Sequence, residues 1–538
     1  MGTASTAPDP ARIARDVFGY PTLRTGQRDV IDALVGGRDA LAIMATGAGK
    51  SAIYAIAGRA LGRPTVVVSP LLALQRDQAD ALGRRGLSVV VVNSAQSAQE
   101  HRAALASGAD YLFLAPEQLA DPSVVDAVRA ARPALVAVDE AHVVAQWGAD
   151  FRPDYLRLAA AIRDLGRPTV LALTATATSL VRDEIVGGLG MRDPFVLVLG
   201  FDRPNIHLAV QAGFRRDRDK LEALAHDVPH AARVGQGIVY AATRRGVEGL
   251  VDDWRAMGVR AAGYHAGHTK AERSRVEHAF RDGAVDVVVA TVAFGMGIDK
   301  PDIRWVFHAD IPPSLDEYYQ EIGRSGRDAR PAEAVLYYRP DDTRIPQLFA
   351  ASTGPSRQTI EEVAAALEVH RTSVAAVARD ARVSRERATA ALMALRDAGA
   401  VRIGGRGGVT VTGDPASAVD AAWADVSRRR AVERTRAETM EAYAEETGCR
   451  RRFLLEYFGE AAPAQCGNCD NDERSVAPER DMGEPVPYPR GSLVVHPVFG
   501  PGEVIGYTEG RVTVVFARAG YKRLDLGLVA ERGLLSPA

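Results

Sequence analysis

The chain has 538 residues, enough for several domains that each bury a core of their own. Its hydrophobic share of 47% and charged share of 25% are those of a globular protein, with no apolar run long enough to cross a bilayer and no apolar signal core at the N-terminus. A net charge of −2 does not advertise a nucleic-acid binder, yet it excludes none, because binding needs only a local basic groove.

Residues 1–11 precede any periodic pattern and are read as disordered. Residues 12–205 alternate apolar runs with helical patterns. Ala40–Met44, Thr65–Ser69, Val89–Val92, Tyr111–Ala115, Leu135–Val138 and Val170–Leu173 are the predicted strands. A second alternation covers 206–345, with strands at Gly237–Tyr240, Val285–Ala290, Trp305–Ala309 and Ala334–Tyr338. The fold class is therefore α/β, with two tandem parallel-sheet domains and a ligand cleft expected between them. From 346 to 415 the pattern turns helical. Ser373–Asp380 and Ser384–Ala398 are followed by Val401 and a glycine-rich hairpin (Gly404, Gly405, Gly407, Gly408), a winged-helix pattern. Residues 416–472 form an arginine-rich helical stretch that ends in cysteines. Four prolines among charges mark 473–490 as a linker. Alternating β residues with glycine turns over 491–538 predict a small barrel.

Met44-Ala-Thr-Gly-Ala-Gly-Lys-Ser51 follows a strand and precedes a helix, which is the context of a phosphate-binding loop. Its glycines admit phosphates to backbone N–H groups, and the helix N-terminus adds positive potential. Lys50 is placed at the β/γ-phosphates and Ser51 at Mg²⁺, with Thr46, Gly47 and Gly49 completing the loop core. The first glycine of the general pattern is absent, since Met44 stands there. Only five of the 66 basic residues are lysines, and this loop keeps one of them. Asp139, at the end of the Leu135–Val138 strand, supplies a second Mg²⁺ ligand, and Glu140 is the candidate base for water. A few residues on, Trp147, Phe151 and Tyr155 stand among polar residues and helix breakers, as bases of a single strand require for stacking.

Several segments now resemble superfamily 2 helicases: Phe18…Arg24…Gln27, Thr46–Ser51, Asp139–His142, Thr174-Ala-Thr-Ala177 and Gln320-Glu-Ile-Gly-Arg-Ser-Gly-Arg327. Gln146-Trp147-Gly148 with Asp150-Phe151-Arg152-Pro153 is similar to the RecQ family in particular. The resemblance implies two RecA-like domains, with Gln27 reading the adenine edge and Arg24 supporting that pocket. It makes Arg327 the arginine finger on the γ-phosphate, with Arg324 beside it and Gln320 in the same motif. Gly297 and Asp299 would meet the ribose. Gln146, Trp147, Phe151, Arg152 and Tyr155 would sense single-stranded DNA and report it to the ATP site. Ser69, Pro70, Pro116, Thr291 and His265 would line the strand backbone.

Three cysteines cannot build a disulfide framework, and all of them lie between 449 and 469, which favours a metal. Cys449-x₁₆-Cys466-x₂-Cys469 resembles the RecQ zinc module, whose fourth cysteine is replaced here by Asp472. Zinc accepts carboxylate oxygen, so a site of Cys449, Cys466, Cys469 and Asp472 is expected, the competing readings being Asp470 as the ligand or a module held by packing without metal. Domain order departs from the family, because the winged-helix pattern precedes the cysteines. The family's strand-separating hairpin is therefore not carried over. Residues 491–538, through His496-Pro-Val-Phe-Gly-Pro-Gly502, resemble the Tudor- or SH3-like tail of UvrD-type helicases, relatives of which bind RNA polymerase.

The resemblance implies a 3′→5′ DNA helicase of repair or recombination. Its cofactors would be ATP, Mg²⁺ and Zn²⁺, and its substrates single-stranded and tailed duplex DNA. The expected form is a monomer in the cytoplasm at the nucleoid. The alternative is a DNA-dependent translocase or adaptor recruited to RNA polymerase through residues 491–538, with little strand separation.

Overall fold

Short runs of valine, leucine and alanine form most of the strands, as a sheet covered on both faces requires. The computed structural model describes residues 9–538 apart from 46, 71, 93–107, 145–154, 156–157, 292–293, 295–299, 345–353, 368–370, 405–407, 475–486, 490, 509 and 517–518. They fall into two units, residues 1–44, 48–199 and 349–431 in the first, and 45–47, 200–348 and 432–538 in the second.

The first unit's main sheet comprises β1 (Ala40–Ile43), β2 (Thr65–Val68), β3 (Val89–Val91), β4 (Tyr111–Leu114), β5 (Leu135–Val138), β6 (Thr169–Thr174) and β7 (Phe195–Val198). Their order is β3-β4-β2-β5-β6-β1-β7, and all pairings are parallel. Because β6 pairs with both β1 and β5, the carboxyl ends of these three strands are neighbours. The glycine loop leaves one, Asp139 another, and Thr174 closes the third.

The second unit's sheet comprises β8 (Ile206–Gln211), β9 (Gly237–Tyr240), β10 (Ala261–Tyr264), β11 (Val287–Ala290), β12 (Trp305–His308) and β13 (Ala332–Tyr337), ordered β10-β11-β9-β12-β13-β8 and again parallel. Three strands lie outside the predicted set. β7 (Phe-Val-Leu-Val) is apolar throughout but only alternately half-buried, β8 interleaves half-buried residues, two of them polar, with its buried ones, and β10 is Ala-Ala-Gly-Tyr, without a β-branched residue. All three sit at sheet edges.

In the first unit, helices Arg357–Ala365, Val374–Asp380 and Arg385–Asp397 pack with β14 (Arg371–Ser373), β15 (Val401–Ile403) and β16 (Gly408–Val411), ordered β14-β16-β15. This is a winged-helix arrangement. Ser373 and Ser384 cap two of its helices, accepting from the backbone N–H of Ala376 and Arg387 at 3.2 Å each. The C-terminal segment folds into an antiparallel sheet of β17 (Leu493–His496), β18 (Gly500–Thr508), β19 (Arg511–Phe516), β20 (Gly520–Asp525) and β21 (Ser536–Pro537), ordered β20-β19-β18-β17-β21. Val494, Val504, Val514 and Phe516 fill its core. Among the described residues no helix is long and apolar enough to cross a membrane.

Candidate active site and metal centre

The glycine loop leaves β1 at Ile43 and enters the helix Lys50–Leu61. Gly47 and Gly49 adopt φ of +85° and +86°, a region costly for any side chain. At Gly49 a Cβ would also lie 2.7 Å from Gln27 Nε2. Lys50 Nζ donates to the Met44 carbonyl at 3.1 Å, holding the ammonium over the loop. Gln27 is buried against the same turn. Its Oε1 accepts from Arg24 N at 2.8 Å, and its Nε2 donates to the Gly49 carbonyl at 3.0 Å. Arg24, Gln27, Gly49 and Lys50 therefore form one assembly, with Ser51 exposed beside them.

Asp139 ends β5, its N–H donating to the Val68 carbonyl at 2.9 Å. The chain then turns through Glu140 at φ +50°, where a non-glycine backbone is strained. Burial, and next the charge of Glu140, push the Asp139 carboxyl up to about 7, while Lys50 and the Glu140 N–H act in the opposite sense. A carboxylate that resists ionising beside a second one is suited to a divalent cation. His142 Nδ1 lies 3.4 Å from Glu140 Oε2 and 3.0 Å from Thr174 Oγ1. The Thr174 hydroxyl donates to the Thr176 carbonyl at 2.9 Å, so Asp139–His142 and Thr174–Ala177 form one polar network.

In the second unit Gln320 lies on the helix Leu315–Ile322, capped by Ser314, and Gly323–Arg327 turn away from its end. The turn is pinned from the segment before β8. The Arg203 guanidinium donates to the carbonyls of Gly323 (3.1 Å), Ser325 (2.8 Å) and Gly326 (3.0 Å), and Asn205 Nδ2 donates to Gly326 at 2.8 Å. Gly326 has φ +57°, and a Cβ there would sit 2.4 Å from Asn205 Nδ2, so glycine is required. Arg324 is buried and Arg327 half-buried.

Of the DNA contacts expected in the 146–155 loop, only Tyr155 falls among the described residues. Gln146, Trp147, Phe151 and Arg152 lie outside the described residues, as do Thr46, Gly297 and Asp299. Tyr155 is a correction, since its ring is wholly buried and offers no face to a base. The spacing of four from Phe151 fits a core position as well as a stacking one. Ser69 and His265 are buried too.

Around the cysteines, the ligand atoms of Cys449, Cys466, Cys469 and Asp472 all lie within 4.8 Å of one another. Three thiols and a carboxylate form a donor set that zinc accepts. Asp472 Oδ2 takes backbone N–H bonds from Cys466 (2.6 Å) and Gly467 (2.9 Å), and Asn468 N donates to Cys466 Sγ at 3.3 Å. Such outer hydrogen bonds orient ligands before metal arrives. Hydrogen bonds among the sulfurs push Cys449 up and Cys469 down, an uneven sharing of protons that a cation would replace. Asp470 is committed elsewhere. It receives Arg450 Nε at 2.5 Å and the Val210 N–H at 3.1 Å.

Comparison with known proteins matches these regions in order. The family model for DEAD/DEAH box helicases matches residues 24–183, that for the helicase conserved C-terminal domain 219–329, and that for RecQ zinc-binding 418–473. The chain is 42% identical to the ATP-dependent DNA helicase RecQ of Pasteurella multocida, over 61% of this chain and 51% of that one. It is 30% identical to the probable ATP-dependent DNA helicase RecS of Bacillus subtilis, over 90% of this chain and 96% of that one. The chain belongs to the RecQ family.

This RecQ-family chain thus spans about half of the Pasteurella relative but nearly all of the Bacillus one. Its fold is shared with Mycobacterium smegmatis helicase Lhr, solved with single-stranded DNA and AMP-PNP, at a TM-score of 0.51 and 21% identity over 77% of this chain and 62% of that one. Sequence reading missed Arg203 and Asn205. Their only local sign is three polar residues, Asp202, Arg203 and Asn205, immediately before a strand. It also missed Arg451, which donates to Asp202 (2.8 Å) and to the Ile206 carbonyl (2.6 Å), fastening the zinc module to the start of β8.

Proposed function

We propose that this chain is an ATP- and Mg²⁺-dependent DNA helicase that moves 3′→5′ and opens tailed duplexes in repair or recombination. The single observation that carries this reading is the buried Asp139–Glu140–His142–Thr174 network beside Lys50. There one carboxyl is held near neutrality until a cation and phosphate arrive. Lys50 would meet the β/γ-phosphates, Ser51 and Asp139 would hold Mg²⁺, and Glu140 would orient water. Mg²⁺ supplies charge neutralisation to the phosphates. Arg24 and Gln27 would support the base, and Gly297 and Asp299 the ribose. Arg327, with Arg324 and Gln320, would stabilise the charge that develops on the γ-phosphate. Family membership favours this reading over an adaptor that only binds DNA and RNA polymerase. Gln146, Trp147, Phe151 and Arg152 remain the proposed contacts to single-stranded DNA.

The decisive experiment compares unwinding of 3′-tailed, 5′-tailed and forked duplexes by wild type and Lys50→Ala. Opening of 3′-tailed substrate by wild type alone is expected. Normal ATP turnover with no substrate opened would overturn the helicase reading.

Asp472 is proposed as the fourth zinc ligand, supported by its position in the cluster and by the engagement of Asp470 with Arg450. Zinc analysis should find one ion per chain in wild type and Asp472→Cys. In Asp472→Ala affinity should fall by at least about tenfold. Full zinc retention in Asp472→Ala would remove Asp472 from the site.

A further inference from the structure

The C-terminal barrel meets the zinc module through the start of β20. At Gly520, where φ is +67°, a Cβ would lie 2.1 Å from Thr435 Oγ1, so only glycine permits this approach. The next residue, Tyr521, donates its N–H to the same hydroxyl at 3.3 Å. Its ring stacks on Tyr457 with centroids 4.8 Å apart and planes 26° apart. Two residues on, the Arg523 guanidinium lies over the Phe453 ring at 5.7 Å. A tethered accessory domain needs none of this fit, and here both tyrosines are buried.

The contact continues past the zinc module. Tyr457 OH donates to Asp316 Oδ2 at 2.5 Å, and Asp316 lies in the first turn of Leu315–Ile322. Arg436 pairs with Glu433 at 3.0 Å at the same place. Although burial opposes its charge, the carboxylates of Glu433 and Asp316 keep it protonated. Phe458, next to Tyr457, packs against Tyr319 of the same helix at 4.9 Å. A continuous run of buried groups therefore links Tyr521 of the barrel, through Tyr457, to the base of the helix that bears Gln320 and leads into Arg324 and Arg327.

We infer that the C-terminal barrel is a buttress of the Leu315–Ile322 helix, with Tyr521 and Tyr457 as positioning residues for the arginines at its end. Displacing the barrel frees the Tyr457 ring and loosens the hydrogen bond that anchors the helix N-terminus, and a small shift there is magnified at Arg327. Misplacing a charge-stabilising group lowers turnover more than substrate binding.

The inference rests on the ATPase reading for its catalytic part only. The test uses the full chain as Tyr521→Ala, Tyr457→Phe and Tyr521→Phe, with two readouts: steady-state ATP turnover with single-stranded DNA, and hydrogen exchange of residues 315–322. Tyr521→Ala and Tyr457→Phe should each lower kcat about fivefold, the size expected for one lost buried hydrogen bond or ring stack, with KM for ATP little changed. Both should speed exchange in 315–322. Tyr521→Phe keeps the stack and should lie closer to wild type than Tyr521→Ala in both measurements. Unchanged exchange in Tyr521→Ala and Tyr457→Phe would overturn the buttress. Faster exchange with unchanged kcat would overturn the positioning role. A wild type without ATP turnover would fail the helicase reading, while the exchange comparison would still decide the buttress.

Discussion

The two parallel sheets are built alike, yet the charged groups at their functional ends live under opposite conditions. In the first unit Asp139 and Glu140 crowd two carboxyls into a buried turn with a strained Glu140 backbone, and one of them is pushed toward neutrality. In the second, the Gly323–Arg327 turn is saturated with hydrogen bonds from Arg203 and Asn205. The acidic end stores electrostatic cost that a cation relieves. The backbone of the arginine turn is held in place before any ligand arrives, so under the proposed function it needs little rearrangement. Under the proposed helicase function, one end waits for its ligand and the other is pre-set.

That contrast can be broken most sharply at the arginine end. Arg327→Ala should reduce ATP turnover by about 10³-fold or more, the effect of losing an arginine finger, with a smaller loss of stability than Arg203→Ala. Arg203→Ala, which removes three bonds to carbonyls of the same turn, should do the reverse in proportion. Stability should fall by about 2–3 kcal/mol, with a smaller loss of turnover. Steady-state ATPase and thermal melts of both variants check the pair. If Arg327→Ala cost as much stability as Arg203→Ala, the turn would not be pre-set by Arg203.

How much of this was legible in the sequence depends on how far each partner lies along the chain. The glycine loop, Asp139 and most strands were readable because periodicity and turn chemistry are local. The zinc spacing left Asp470 and Asp472 open. Arg450, twenty residues away, pairs with Asp470 and so supports the proposal of Asp472. Arg203 acts on carbonyls about 120 residues later, and nothing in the local pattern announces that. Tyr155 was misread because a spacing of four serves a stacking row and a helical core stripe equally well. The C-terminal sheet was visible as a β segment, but its junction with Thr435 and Tyr457 was not, since no local rule relates Gly520 to a hydroxyl 85 residues upstream.

The smallest expected effect tests the acidic end directly. Asp139 shifts from an ordinary value near 3.8 up to about 7 on folding. Below pH 4 the carboxyl is protonated in both folded and unfolded chains and costs nothing. Between about 4 and 7 the unfolded chain releases its proton while the folded one retains it, so stability falls as pH rises. Above 7 the penalty is complete. Asp139→Asn removes it, so the variant should lose ATPase activity and yet be more stable than wild type, by a margin that grows by about 2 kcal/mol between pH 5 and pH 8. Thermal melts of both proteins at the two pH values, without Mg²⁺ or nucleotide, measure that margin. Adding Mg²⁺ and a non-hydrolysable ATP analogue should stabilise wild type more than the variant and narrow the gap. A margin independent of pH would mean that the Asp139 carboxyl is not held near neutrality, and the contrast between the two ends would collapse to one of hydrogen bonding alone.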